Sequence, residues 1–576
     1  MRLKIVVENR DGTSWKIHDD DTLDPVDLTD EITPNKDSLF NGDVFDYDQE
    51  TKCLAIVHSI IRSVPHIPGI LVMVGNKSYG KHPTNSKTYY KCVPDDKRIP
   101  AFLIPYEYKQ SVFSKLPHNL YVTFSFLSWD KKHPVGKLIQ NLGAVNETAN
   151  YYEYILYCKS LNASIKVFNK SAQEALRINK NINDVIENIM NKNPKIESRI
   201  NHQNIITIDP NGATDFDDAF GVRVCNDYFV LSVYVSNVSV WLEELGLWES
   251  FSDRVSTIYL PDRKRPMLPT ILSDSLCSLQ KHEWRFATAM DISCTWDKIL
   301  DISFTNTLIN VSNNYHYDDK LLHKNDCYNK VFEITKRLSK SDHVIQKGAP
   351  NIKGPKDVVA YLMMLMNYEC ALNMSSQKEN GIYRATIIKN NVQIPNVLPD
   401  DVYSFLHNWN NYSGLYVHKV SSAHELLELG SYIHITSPIR RLVDLLNTIA
   451  FQKNNNMIKV SEQAEKFYNK WTTVEKMDMI NTSMRAIRKV QCDCELLREC
   501  VNDPKIVDYT FSGVLFDRVD RTDGLYQYMV YIPELKLTSR MTHRTCAENY
   551  SSGMFRVFIF NDEENMRRKI RVNMIV

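Results

Sequence analysis

The stretch Ile206-Thr207-Ile208-Asp209-Pro210-Asn211-Gly212-Ala213-Thr214-Asp215-Phe216-Asp217-Asp218-Ala219-Phe220 places four carboxylates within ten residues. It opens on an apolar run that reads as a strand, and Pro210 and Gly212 turn the chain sharply after it. Four like charges this close repel one another, and holding them all ionised requires a compensating cation. Carboxylate oxygens are hard ligands that suit Mg2+ or Mn2+. Two such ions, about 3.5–4 Å apart, are a recurrent device for in-line phosphodiester cleavage: one activates water and the other steadies the leaving oxygen. Two plainer readings stand beside this one. A solvated acidic turn would carry the same residues, whereas a calcium-binding loop fails on spacing, because the required alternation with glycine at the sixth position is not met.

Outward from this segment the chain alternates between two regimes. Residues 1 to about 150 read as β-rich, with apolar alternation in Leu3-Lys4-Ile5-Val6-Val7, Gly69-Ile70-Leu71-Val72-Met73-Val74-Gly75 and Tyr121-Val122-Thr123-Phe124-Ser125-Phe126. Turn signals at Asp11-Gly12, Asn41-Gly42-Asp43, Pro94-Asp95-Asp96 and Pro134-Val135-Gly136 cut this region into about ten short strands, enough for two five-stranded barrels. The soft boundary between them falls near Pro65 to Pro68. Residues 150–200 read as polar helix. Strands dominate again from Asn204 to about Asn310, helices are expected over 355–380, after Pro438 and over about 472–500, and the tail from Tyr509 returns to strands.

The length of 576 residues suggests three to five folded units, at about 100–200 residues each. Hydrophobic residues at 43% and charged residues at 24% fit a globular protein. The formal net charge is zero, which argues against a general nucleic-acid coat but leaves room for an enzyme with a locally basic channel. Met1-Arg2-Leu3-Lys4-Ile5 reads as a strand and not as a signal peptide, and no apolar run reaches the ~18–20 residues that span a bilayer. The 12 cysteines are scattered; only Cys492, Cys494 and Cys500 cluster, as buried thiols or a zinc site, and a reducing intracellular compartment is expected, cytoplasm or nucleus unresolved.

The acidic stretch, read as Ile208-Asp209-Pro210-x-x-Ala213-x-Asp215-x-Asp217-Asp218-Ala219, resembles the signature of the RNB family of exoribonucleases. Tyr259-Leu260-Pro261, Met267-Leu268-Pro269, Leu272 to Leu279, Ser312 to Tyr317 and Tyr432-Ile433-His434-Ile435-Thr436-Ser437-Pro438-Ile439-Arg440-Arg441 fit further family segments in the same order. Val93 to Pro100 and Pro134 to Gly143 are similar to the family's second cold-shock barrel. The resemblance is strong over about residues 200–450. It implies a multidomain α+β architecture: two N-terminal OB-fold, cold-shock-like β-barrels (1–65 and 66–150), a helical connector (151–195), a central mixed α/β RNB catalytic domain (196–505) and a C-terminal OB-fold barrel (506–576).

The resemblance also implies 3′→5′ hydrolysis of single-stranded RNA to 5′-nucleoside monophosphates with Mg2+, for which Mn2+ can substitute. Asp209, Asp215 and Asp218 would hold metal, and Asp217 would be the carboxylate most directly tied to catalysis. Arg440 is the candidate phosphate clamp, since a guanidinium presents a planar fork of donors and stays charged; the plainer reading is an exposed arginine at a helix start, with Ser437-Pro438 as cap and first residue. Arg441 is either a second phosphate contact or half of a structural pair. Tyr259 and Tyr317 are candidate stacking platforms, or else core tyrosines with satisfied hydroxyls. Lys91, Lys97, Arg98, Lys131 and Lys132, beside Tyr89, Tyr90 and Trp129, are candidate RNA contacts on the barrels.

The chain departs from the family pattern at Leu442, where an aromatic residue is usual, at Asn447-Thr448, where a histidine–arginine pair is common, and at Val359-Ala360-Tyr361, where a glutamate pair often stands. No DNA, membrane or oligomeric partner is expected, and no N-terminal endonuclease segment that would tether the chain to an exosome is read. The competing function is an RNA-binding protein that keeps the RNB fold without catalysis.

Overall fold

The structure is a computed structural model, and it describes residues 1–575 except 76, 85, 108–117, 180, 203, 297, 341–350, 378–380, 386–393, 396, 411–413, 419–430, 522 and 563–566. The chain divides into two units: residues 1–162, 260–262 and 490–576 in one, and residues 163–259 and 263–489 in the other.

Among the described residues of the first 144, ten strands sort into two five-stranded sheets. Strands Arg2–Val7, Trp15–Asp19, Pro25–Val26, Val44–Asp48 and Cys53–His58 make an open sheet. The next five, Ile67–Leu71, Thr88–Pro94, Phe102–Tyr106, Leu120–Ser128 and Val135–Ala144, close into a barrel. Closure needs strong local coiling, and the strand pair 120–128/135–144 supplies it with three register shifts, one beside Gly136. A side chain at Gly136 would strike Phe124 and the Ser125 carbonyl, so the position admits only glycine without rearrangement. Phe102, Phe124 and Phe40 fill the interior, with Phe40 arriving from the first sheet's side of the unit. The last five strands, from Phe511–Asp520 to Arg567–Ile575, build a third sheet over a core that includes Cys500, Leu515 and Val530. The buried Cys500 therefore serves as packing volume.

The second unit is built on a seven-stranded mixed sheet with strand order Glu197–Ser198, Ile299–Asn310, Trp284–Cys294, Phe229–Ser236, Asp218–Val224, Ile206–Asp209, Asn313–His316. Alternate residues of its central strands feed two cores. Phe220, Leu231, Val233 and Val235 point to one face, which helices Asp326–Leu338 and Pro355–Ser376 cover. Ala219, Tyr234, Ala287 and Ala289 point to the other. A sheet covered on both faces is apolar along its whole length, which is why Phe229–Ser236 reads as a continuous hydrophobic run. Ile206 pairs with Phe220 in antiparallel register, so the two acidic ends, Asp209 and Asp218, leave the sheet at the same edge. The helix Leu442–Asn454 starts four residues after Pro438, because Ser437 to Arg441 folds as a turn before it. Among the described residues no helix is long and apolar enough to cross a membrane.

Candidate active site

The loop from Pro210 to Asp217 connects neighbouring strands, and Gly212 takes a left-handed conformation with φ of 80°. Pro210, Gly212 and the two strand ends thus carry all four aspartates to the rim of one cavity of about 900 Å3. Tyr259, Tyr317, Arg440 and Arg441 line the same cavity, so every residue expected at the site converges on it. Lys264, Asp274, Val359, Met363, Met364, Asn367, Tyr432 and His434 complete the wall.

The four carboxylates are not equivalent. Asp217, 2% exposed, accepts from the Ile439 backbone N–H at 2.9 Å and from Arg440 Nε at 2.9 Å. Asp215 accepts from Lys264 Nζ at 3.2 Å on one oxygen and from the Tyr259 hydroxyl at 2.8 Å on the other. Asp209 and Asp218 are buried as well, yet among the described residues the Oδ2 atom of each has no hydrogen-bond partner. Burial raises the proton affinity of both, and their mutual repulsion with Asp217 raises it further. Burial also pushes Asp217 up to about 6, against the pull of Arg440 and the Ile439 N–H.

Orphaned buried carboxylate oxygens are costly unless protonated or bound to a cation. The pair Asp209/Asp218 therefore fits a divalent ion. Among the described residues no three His, Cys, Asp or Glu side chains form a ready-made metal cage.

Arg440 donates through Nε to Asp217 and through Nη2 to Ser437 Oγ at 2.9 Å, and its side chain is 42% exposed. Two of its five N–H groups are thereby fixed and the others have no partner among the described residues, which is the geometry of an anchored anion clamp. Burial opposes its charge, but Asp217 outweighs it and holds the guanidinium firmly protonated. Arg441 occupies the cap position of the helix Leu442–Asn454 and donates to the fully buried Asp444 at 2.8 Å, as a structural pair. Tyr259 is 41% exposed, and its hydroxyl donates to Asp215. Tyr317 is half-buried, its backbone N–H donates to the Asp209 carbonyl, and burial together with Asp218 pushes its hydroxyl up to about 12.

The departures from the family pattern have structural explanations. Leu442 is fully buried in the protein interior. Asn447, also buried, accepts from the Ile382 N–H and donates to the Ile382 and His434 carbonyls, holding the strand Ile382–Ala385 and the cavity wall together. Val359 lines the cavity beside Met363 and Met364, so the side where a glutamate pair often stands is apolar here.

Two family descriptions match the sequence: residues 198–349 match the RNB domain, and residues 89–159 match the Dis3-like cold-shock domain 2. The chain therefore carries an RNB domain over about a quarter of its length. The chain is 25% identical over 283 residues to the exosome complex exonuclease RRP44 of Mus musculus, a match that covers 47% of this chain and 28% of the mouse protein. It thus spans about a quarter of the length of that curated relative. Among solved structures, the apo form of Mycoplasma genitalium RNase R superposes with a TM-score of 0.64 at 17% identity, over 100% of this chain and 96% of that one. Yeast Ssd1, described as a pseudonuclease, gives a TM-score of 0.57 at 15% identity, over 94% and 79% of the two chains. The fold is therefore shared with a protein described as a pseudonuclease, so the fold alone does not establish activity.

Lys264 and Asp274 were not legible as site residues from sequence alone. The register of the short strand Lys264–Arg265 sets Lys264 opposite Tyr259, a pairing that no sequence signal reports.

Proposed function

We propose that the chain is a divalent-metal-dependent 3′→5′ exoribonuclease that hydrolyses single-stranded RNA to 5′-nucleoside monophosphates. The observation that carries the reading is the pair of buried, partnerless oxygens of Asp209 and Asp218 beside the anchored Arg440. An RNA-binding protein without catalysis gains nothing from two buried, repelling carboxylates, which are costly to keep.

Asp209 and Asp218 would hold Mg2+, for which Mn2+ substitutes. When bound, such an ion polarises a phosphate oxygen and lowers the pKa of an attached water. The chain's own residues do the rest. Asp217 fixes the Arg440 guanidinium in one orientation, and the uncommitted N–H groups of Arg440 take the scissile phosphate and stabilise the charge that develops on it. The Tyr259 ring, steadied through its hydroxyl, and the Tyr317 ring offer faces for the terminal bases, which suits an enzyme indifferent to sequence. Val359, Met363 and Met364 exclude bulk water from one wall and strengthen the polar interactions opposite.

The test is a time course on 5′-labelled and 3′-labelled single-stranded RNA, with Mg2+ and with EDTA. The reading expects mononucleotides released at once from the 3′ label, gradual shortening of the 5′ label, and no reaction in EDTA. Binding without shortening in Mg2+ and Mn2+ alike would leave the non-catalytic RNA-binding reading in its place.

A further inference from the structure

Lys264 has no role in the reading above, yet it makes three polar contacts at the site. It stands opposite Tyr259 on a pair of two-residue strands. From there the two side chains take one oxygen each of Asp215, Tyr259 at 2.8 Å and Lys264 at 3.2 Å. The ammonium also donates to Thr214 Oγ1 at 2.6 Å and to Asp274 Oδ1 at 2.8 Å. Asp274 accepts in turn from Thr214 Oγ1 and Ser273 Oγ. An ammonium group has three protons, and here each has an acceptor. Lys264, Asp215 and Asp274 have side chains only 22%, 8% and 27% exposed, so solvent screens these contacts less than on an open surface.

We propose that Lys264 is a positioning residue that acts as a built-in cation for Asp215: it withdraws that carboxylate from the metal-binding set and pins the acidic loop beneath Tyr259. This rests on the proposed metal-dependent activity and refines it, because it divides the four aspartates by function. Asp215 is tied to Lys264 and Tyr259, Asp217 is tied to Arg440, and Asp209 with Asp218 is left for the ion. Lys264 thereby limits how many carboxylates an ion can recruit. A looser acidic loop would wrap an ion more completely and displace the coordination positions that substrate oxygens and water must fill. Tight metal binding and fast turnover would then oppose each other.

This gives Lys264 a signature that a merely structural lysine would not have. Removing the charge should make metal binding tighter while turnover falls. Mn2+ is titrated calorimetrically into the full chain without RNA, for the wild type, Lys264→Met, Lys264→Arg and Asp274→Asn. The expected result is Mn2+ binding at least threefold tighter, or a second equivalent bound, in Lys264→Met. Lys264→Arg and Asp274→Asn, which keep the cation beside Asp215, should remain within threefold of the wild type. In the paired RNA assay, Lys264→Met should lose at least tenfold in turnover, with RNA affinity in EDTA changed less than threefold. Weaker or unchanged Mn2+ binding in Lys264→Met would overturn the proposal while leaving the activity reading intact. A wild type that binds no Mn2+ would overturn both. If Lys264→Met does not fold, Lys264→Gln, which removes the charge but keeps an N–H donor, carries the same expectation.

Discussion

Replacing Arg440 with alanine leaves Asp217 as a buried carboxylate without its cation, and the cost can be worked out. With Arg440 in place the Asp217 carboxyl titrates near 6, against an ordinary 3.8. A carboxyl raised in the folded state contributes nothing unfavourable below its unfolded value; stability is lost as pH climbs from the unfolded value to the folded one and levels off above it. At about 1.4 kcal/mol per unit, ionised Asp217 already costs the wild type roughly 3 kcal/mol above pH 6. Without Arg440 the folded value rises further, so the loss continues where the wild type has levelled off. The variant should match the wild type near pH 5.5 and fall below it by up to roughly 2.7 kcal/mol at pH 8. Arg440 is 42% exposed, and solvent softens its pull, so this figure is an upper bound. In a chain of several domains a single unfolding transition is not defined, and the suitable assay is amide hydrogen exchange of the strand Asp218–Val224 in EDTA, read as a local opening free energy from pH 5.5 to 8. A penalty that stays constant across that range would refute the argument, because it would mean that Arg440 contributes packing and not charge to Asp217.

Other expectations follow from single residues. Tyr259→Ala should weaken binding of single-stranded RNA in EDTA by about 5- to 150-fold, the equivalent of one lost stack at roughly 1–3 kcal/mol, measured by fluorescence anisotropy. An unchanged affinity would return Tyr259 to the role of a structural hydroxyl on Asp215. Asn447→Leu buries an aliphatic side chain where the Ile382 and His434 backbone groups need partners, and should destabilise the second unit by about 2–4 kcal/mol. Its protection from limited proteolysis should fall accordingly; wild-type protection would show that those backbone groups find other partners.

Much of the fold was legible because its signals are local. Alternating apolar residues between turn residues marked the ten early strands, and the long helix over Pro355–Ser376 was visible in its apolar composition. Barrel closure was not legible to the same degree: among the described residues, hydrogen bonding closes the second of the three five-stranded sheets and does not close the first or the last. Closure depends on register shifts and on glycines such as Gly136, which periodicity does not report. The short helix Val238–Glu244 was hidden too, since Ser236 to Leu242 is buried throughout and continues the apolar run of the preceding strand.

At the site, the sequence carried the inventory but not the partition. Asp209, Asp215, Asp217 and Asp218 are neighbours in the chain, so their convergence was foreseeable. Their different states depend on residues far along the sequence: Arg440 and Ile439 for Asp217, and Lys264 for Asp215. Pairings across such separations leave no spacing signal. Arg441 differs, because its partner Asp444 stands only three residues along the chain.

The account stands on Asp209 and Asp218 being the carboxylates that hold the ion, and a Mn2+ titration of single variants tests it directly. Asp209→Asn and Asp218→Asn should each weaken Mn2+ binding by at least tenfold, while Asp215→Asn stays within threefold of the wild type. Undiminished binding in Asp209→Asn and Asp218→Asn would contradict it.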